Sequence, residues 1–374
     1  MDNDKLYERY HRQIILPEFG KEGQQKLLKA KVVVVGAGGL GCPVLQYLAA
    51  AGAGTIGIVD DDMVALNNLQ RQVLYSVNDI GLSKAESAAR ILGQLNPEIN
   101  IVPFNKRLTT ENAFEILDAF DIIIDGTDNF STRYMINDAC VLLGKPLVYG
   151  AISQFEGQVS VFNYPVNGSG AAVNYRDIFP IPPKENEVLN CAEAGVLGIL
   201  PGIIGTMMAN ETIKMITGIG EVLAGQLFTY NALNNQVYLL ILSPAKDTRS
   251  LIPKDQDEFL KTDYVWLCSS SVSELEIDTE TFKLLIEKQR PDIIDVREIH
   301  EMPEITGFST IRIPLAQLTE NLSRIQAENV IILCQSGKRS AQAAKILTGI
   351  FGTAKKVYSL KGGILEWKKQ NQET

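Results

Sequence analysis

Short apolar runs set the rhythm of the first third of this chain. Residues 32–35 are consecutive valines that stop at Gly36-Ala37-Gly38-Gly39-Leu40-Gly41, and residues 55–59 form a second run that stops at Asp60. Between them lies an alanine- and leucine-rich stretch of helical length, so the predicted order is strand, glycine turn, helix, strand, acid. Residues 121–125 make a third run that opens into Gly126-Thr127-Asp128-Asn129. Continuous apolar strands alternating with helices are the pattern of a parallel sheet covered on both faces, an α/β fold. Residues 82–95 read as a helix, 196–208 as a buried helix and 236–242 as a strand.

Beyond that strand the pattern dissolves. Ser243-Pro244-Ala245-Lys246-Asp247-Thr248-Arg249-Ser250 is polar, and the chain stays irregular past Cys268. Periodicity resumes with a strand or turn at 273–277, a helix at 279–288, a strand at 329–333 and a helix at 341–347. The expectation is a first domain over 1–245, a linker over 246–272 that lets its neighbour move, and a smaller α/β domain over 273–374.

The opening strand, turn and helix have the layout of a mononucleotide-binding unit. Gly36, Gly38, Gly39 and Gly41 let backbone amides approach a phosphate at a helix N-terminus, and Asp60 can accept from ribose hydroxyls. A glycine turn alone suits NAD and FAD as well as ATP. Downstream, Asn67-Asn68-Leu69-Gln70-Arg71 and Lys84 put amides and two cations close to the acid, which suits a triphosphate better than a dinucleotide. Asp128 emerges at the carboxyl end of a strand, where ligands bind in open α/β sheets, and can hold Mg2+ between phosphates. Each residue singly has a plain structural reading, Arg71 and Lys84 as solvated charges and Asp128 as a turn or cap residue. Their order along the chain is what argues for a site.

A second cluster lies in the smaller domain. Cys334-Gln335-Ser336-Gly337-Lys338-Arg339 joins a strand to a helix, so loop amides and the helix dipole face the sulfur, and Lys338 and Arg339 are expected to add charge. Such settings lower a thiol from its usual ~8.5, so Cys334 is expected to be reactive. Four residues separate Cys334 from Arg339, one fewer than in the loops of cysteine phosphatases, and the smaller cradle suits a sulfur atom. Cys191 has two readings, a reactive thiol or a buried apolar residue.

Arg9-Tyr10-His11-Arg12-Gln13-Ile14, GAGGLG, VDDD, NNLQRQ, Lys84, GTDN and Asn190-Cys191-Ala192-Glu193-Ala194-Gly195-Val196 together resemble the ubiquitin-activating (E1-like) superfamily in its MoeB/ThiF-type branch. The segments around Asp295-Val296-Arg297-Glu298, Cys334 to Arg339 and Leu360-Lys361-Gly362-Gly363 resemble a rhodanese domain. The resemblance implies a Rossmann-like adenylation domain followed by a rhodanese-like one. It further implies adenylation, with ATP and Mg2+, of the C-terminal glycine of a small ubiquitin-like sulfur-carrier protein ending in Gly-Gly. A persulfide on Cys334, loaded by a cysteine desulfurase or another sulfur donor, would then supply sulfur for a thiocarboxylate. By position, Gly39 and Asp60 would contact the nucleotide and Asn67, Asn68, Leu69, Gln70 and Arg71 the phosphates. Arg71 and Lys84 would stabilise charge at the α-phosphate, Asp128 would hold Mg2+ with Asn129 beside it, and Cys191 would serve as the reducing thiol or carry a transient thioester. Arg12 resembles an arginine that reaches into a neighbouring protomer, which implies a homodimer.

Composition narrows the remaining classes. A formal charge of -9 argues against sequence-independent nucleic-acid binding. The polar start MDNDKLYERYHRQ is not a secretory signal, and the apolar stretch at 196–208 is too short to span a bilayer. Five cysteines without paired spacing suit a reducing cytoplasm. Many relatives carry two Cys-x-x-Cys pairs for structural zinc; the corresponding stretches here, Gly170-Ala171-Ala172-Val173-Asn174-Tyr175-Arg176-Asp177 and Leu242-Ser243-Pro244-Ala245-Lys246, hold no cysteine, and no zinc is expected. Two alternatives stand beside the adenylating reading: an NAD-dependent oxidoreductase, and a carrier-binding scaffold with degenerate sites.

Overall fold

The computed structural model describes residues 3–165, 172–180, 182, 195–245, 248–264, 276–298, 301–302, 305, 308–351 and 355–371. Cys191, Cys268 and most of the stretch 166–194 lie outside the described residues. The chain forms two compact units, Met1–Tyr264 and Val265–Thr374.

The first unit is built on an eight-stranded sheet in the order β3-β2-β1-β4-β5-β6-β7-β8. The strands are β1 (Lys31–Val35), β2 (Thr55–Val59), β3 (Asn100–Phe104), β4 (Ile122–Asp125), β5 (Leu147–Ser153), β6 (Glu156–Phe162), β7 (Gln226–Asn231) and β8 (Gln236–Ile241). β1 pairs in parallel with β2 on one side and β4 on the other, so the strand order reverses between β1 and β4. Their shared carboxyl end is therefore the switch point where an open α/β sheet leaves a crevice. From β5 onward the pairing turns antiparallel.

Valines 32 to 35 are buried on both faces, as their unbroken run requires. The helix Gly41–Ala51 seats Val44, Leu45 and Leu48 in the core and ends at Gly52 with φ +89°, where a side chain would meet the Tyr10 ring. The helix expected over 196–208 runs instead as Ile199–Thr217, with Leu200, Ile204 and Met208 buried one turn apart against the sheet. The helix expected over 82–95 is Lys84–Leu95, because Ser83 caps it.

The segment expected as linker is partly a structured extension of this unit. Asp177 accepts from Ala245 N at 3.1 Å and from the Thr248 hydroxyl, Phe259 meets Phe114 with ring centroids 4.9 Å apart, and Tyr264 OH donates to Asp138 at 2.9 Å. Phe259 and Tyr264 are buried there, which supplies the apolar contact that anchors the short helix Gln256–Lys261. Residues 265–275 lie outside the described residues.

The second unit has five parallel strands in the order β11-β10-β12-β13-β9, with β9 Glu276–Ile277, β10 Asp292–Asp295, β11 Ile311–Arg312, β12 Asn329–Leu333 and β13 Lys356–Leu360. Ile294, Ile332 and Leu347 pack on one face, and Phe282, Ile331 and Ile364 on the other. The helix expected at 341–347 is Lys338–Phe351, so its first turn begins within the cysteine loop.

Candidate active site

The switch point of the first unit opens into a cavity of about 820 Å³, bordered by Gly36, Gly38, Gly39, Asp60, Arg71, Lys84, Asp128 and Asn129 among others. Gly36 has φ +93°, and a Cβ there would stand 2.8 Å from Gly126 O, so only glycine lets the turns after β1 and β4 touch. Gly41 is required by packing as well. A Cβ on it would stand 1.9 Å from Gly36 O, so it seats the helix against the turn.

Asp60 ties the second strand to the glycine turn. Its Oδ2 accepts from Ala37 N at 2.7 Å and its Oδ1 from Asp62 N at 2.9 Å, while burial pushes the carboxyl above its ordinary pKa. Lys84 is the first residue of its helix and is 5% exposed. Its backbone N donates to Asp62 O at 2.9 Å and its Nζ to Asp62 Oδ2 at 2.8 Å, so the ammonium enters the cavity already oriented. Arg71 follows the turn Leu66–Asn68 and donates to Asn67 O at 3.1 Å.

Asp128 sits exposed on the loop after β4 and borders the cavity. Beneath it, buried Arg133 donates to Asp125 at 3.1 Å, to Thr127 O at 2.9 Å and to Gly150 O at 3.3 Å, which holds that loop to the sheet. Asn129 caps the helix Phe130–Leu143 by accepting from Thr132 N at 2.9 Å, so its side-chain oxygen is engaged in the fold.

Asn67, Asn68, Leu69 and Gln70, expected to line the phosphates, do not border the cavity; Asn68 accepts from Ala65 N, and Gln70 packs against Gly198. Arg12 is exposed near the end of the helix Asn3–Ile14 and also lies off the wall. Conversely, Asp62, Gln72, Lys106 and Arg107 border the cavity and were not singled out from sequence. Lys106 and Arg107 follow the carboxyl end of β3, and that position was the available signal.

In the second unit Cys334 follows β12 and is 1% exposed. Its Sγ lies 3.5 Å from Ser340 Oγ, which donates to Gly337 O at 2.9 Å. Two amides of the helix Gly363–Asn371 hold the loop from behind: Ile364 N donates to Cys334 O at 2.9 Å and Leu365 N to Gln335 O at 3.1 Å. Arg339, expected to add charge to the loop, is ion-paired. Its guanidinium forks onto Glu301 at 2.5 and 2.6 Å, so the loop arginine carries its own counter-ion. The Lys338 side chain lies outside the described residues.

Fold and cavity together define an α/β unit with a crevice at its switch point, sharing its chain with a smaller α/β unit that carries a cysteine loop. The match to known families is more specific: residues 10–251 match the ThiF family and residues 278–370 the rhodanese-like domain, and the chain belongs to the ThiF family. It is 38% identical over 390 residues to the adenylyltransferase and sulfurtransferase MOCS3 of Xenopus laevis, covering 96% of this chain and 85% of that one. It is 55% identical over 226 residues to a sulfur carrier protein adenylyltransferase of Thermus thermophilus, covering 60% of this chain and 83% of that one. The crystal structure of E. coli MccB with MccA-N7isoASN shares the fold at TM-score 0.56 and 22% identity, over 64% of this chain and 73% of that one. The chain is thus an adenylyltransferase with a sulfurtransferase domain, and the oxidoreductase and scaffold readings give way.

Proposed function

We propose that the chain adenylates the C-terminal glycine of a small ubiquitin-like sulfur-carrier protein with ATP and then transfers sulfur to it from a persulfide on Cys334. The observation that carries this reading is the convergence of Lys84, Arg71 and Asp128 on one cavity at the switch point of the sheet. Attack of a carboxylate on the α-phosphate expels pyrophosphate and needs positioning and charge stabilisation more than covalent help. Asp60 would take the ribose, the amides of the turn from Gly36 to Gly39 the phosphates, and Lys84 and Arg71 the charge that develops in transfer. Asp128 presents its carboxylate to the cavity, which fits Mg2+ shared between one carboxylate and phosphate oxygens; bound there, the ion would neutralise phosphate charge.

In the second half of the reaction the outer sulfur of the Cys334 persulfide attacks the acyl carbon, AMP leaves, and an acyl disulfide forms. Attack by a thiol, Cys191 or another, then breaks the S–S bond and releases the thiocarboxylate. That attack leaves Cys334 in a disulfide with the attacking thiol; a dithiol reductant would free both, and a cysteine desulfurase or another sulfur donor would then reload Cys334. Exposure of Arg12 outside its own cavity favours a homodimer in which it serves the partner.

Free Cys42, Cys140 and Cys334 agree with a reducing cytoplasm, and no helix among the described residues is long and apolar enough to cross a membrane. Zinc has no part in this reading: Asp177 joins the two stretches by hydrogen bonds to Ala245 and Thr248. ATP–pyrophosphate exchange tests the proposal. It should depend on a carrier ending in Gly-Gly and vanish in Asp128→Ala; exchange that survives this change would overturn the site assignment.

A further inference from the structure

The sulfur loop faces a choice of donor chemistry that its charge can decide. Small inorganic donors such as thiosulfate are dianions, and an uncompensated cation at the mouth of the loop favours them over donors of lower charge. A thiol persulfide brings a single negative charge, and its own protein can supply the docking contacts.

Arg339 closes the loop that begins at Cys334, and its guanidinium is bound by both oxygens of Glu301. Glu301 is in turn held in place, because its Oε1 accepts from Glu298 N at 2.8 Å. The side chains of Arg339 and Glu301 are 35% and 19% exposed, so the pair lies at the surface beside a sulfur that is itself buried. The hydrogen bonds from Arg339 hold the Glu301 carboxyl down at about 2, so it is ionised throughout the neutral pH range. Glu298 adds a second negative charge to the field at Arg339.

We propose that Glu301 is a specificity-determining residue: by neutralising Arg339 it makes the Cys334 loop accept sulfur from a cysteine persulfide and discriminate against thiosulfate. In the accepted reaction the Cys334 thiolate attacks the outer sulfur of the persulfide, the donor S–S bond breaks, and the donor leaves as a thiolate. In the disfavoured one the same attack expels sulfite. Glu301 acts through Arg339 and touches neither sulfur. The proposal rests on the sulfur-transfer role given to Cys334 above and adds the residue that sets its choice of donor.

The test is steady-state sulfur transfer to cyanide by the full chain, with thiosulfate and with cysteine persulfide as donors. Wild type should favour the persulfide by at least tenfold in kcat/KM. Glu301→Gln should lower KM for thiosulfate by about tenfold with little change in kcat, and leave the persulfide reaction within about twofold. Adding Arg339→Gln should cancel the gain. A wild type that uses both donors equally, or a folded Glu301→Gln whose KM for thiosulfate is unchanged or higher, would overturn the proposal. Should Glu301→Gln fail to fold, the wild-type donor ratio still decides. Persistence of transfer in Cys334→Ser would instead overturn the role of Cys334, independently of Glu301.

Discussion

Lys84 Nζ stands 2.8 Å from Asp62 Oδ2, and the backbone N of the same lysine donates to the carbonyl of the same aspartate. A side chain 6% exposed is thereby pointed into the cavity before any anion arrives. Lys84→Ala should slow ATP–pyrophosphate exchange by about 100-fold or more, the usual cost of removing one preorganised charge at a transferring group. A loss below about threefold would mean that Arg71 alone supplies the charge.

Gly363 supports the sulfur loop from a different helix. Its φ is +60°, and a Cβ there would stand 2.4 Å from Cys334 O and 2.7 Å from Gly337 N. Gly363→Ala should therefore displace the loop and reduce sulfur transfer by at least tenfold, with exchange unaffected. Sulfur transfer at the wild-type rate in this variant would show that the loop tolerates the displacement.

Asp177 cross-links two stretches by accepting from Asn174 N at 2.8 Å, Ala245 N at 3.1 Å and the Thr248 hydroxyl. Removing a shared acceptor of this kind costs about 1–3 kcal/mol, so Asp177→Ala should lower the first melting transition affected by about 2–10 °C. A chelator should leave the wild-type Tm where it is. A chelator-induced fall would point to a structural metal instead.

The Glu301–Arg339 pair also has a pH signature. The folded carboxyl is held at about 2, below its ordinary 4.5, so its stabilisation is complete above about 4.5 and disappears as the pH falls toward 2. Thermal melts of wild type and Glu301→Gln should differ near neutral pH and converge over that interval. Curves that stay parallel down to pH 2 would contradict the pairing.

Much of the cavity wall was legible because residues that border it lie where strands end: Gly36 after β1, Asp60 after β2 and Asp128 after β4 all follow visible apolar runs. Arg71 and Lys84 could be chosen by charge and order. The use made of each residue was less legible. Gly41 serves packing, because the carbonyl it must clear belongs to a turn whose path only the fold defines. Glu301 and Arg339 are 38 residues apart, and no local period joins them. The docked extension to Tyr264 escaped notice because its helix has six residues, too few for an apolar face to repeat, and its anchors Phe259 and Tyr264 find partners far back in the chain.

Intact mass of a Gly-Gly carrier after incubation with the full chain, ATP, Mg2+ and a persulfide donor tests the central claim most directly. Wild type should yield carrier in which one oxygen is exchanged for sulfur, Cys334→Ser only the adenylate or unchanged carrier, and Asp128→Ala neither product. Sulfur gain without ATP, or in Asp128→Ala at the wild-type rate, would contradict the account.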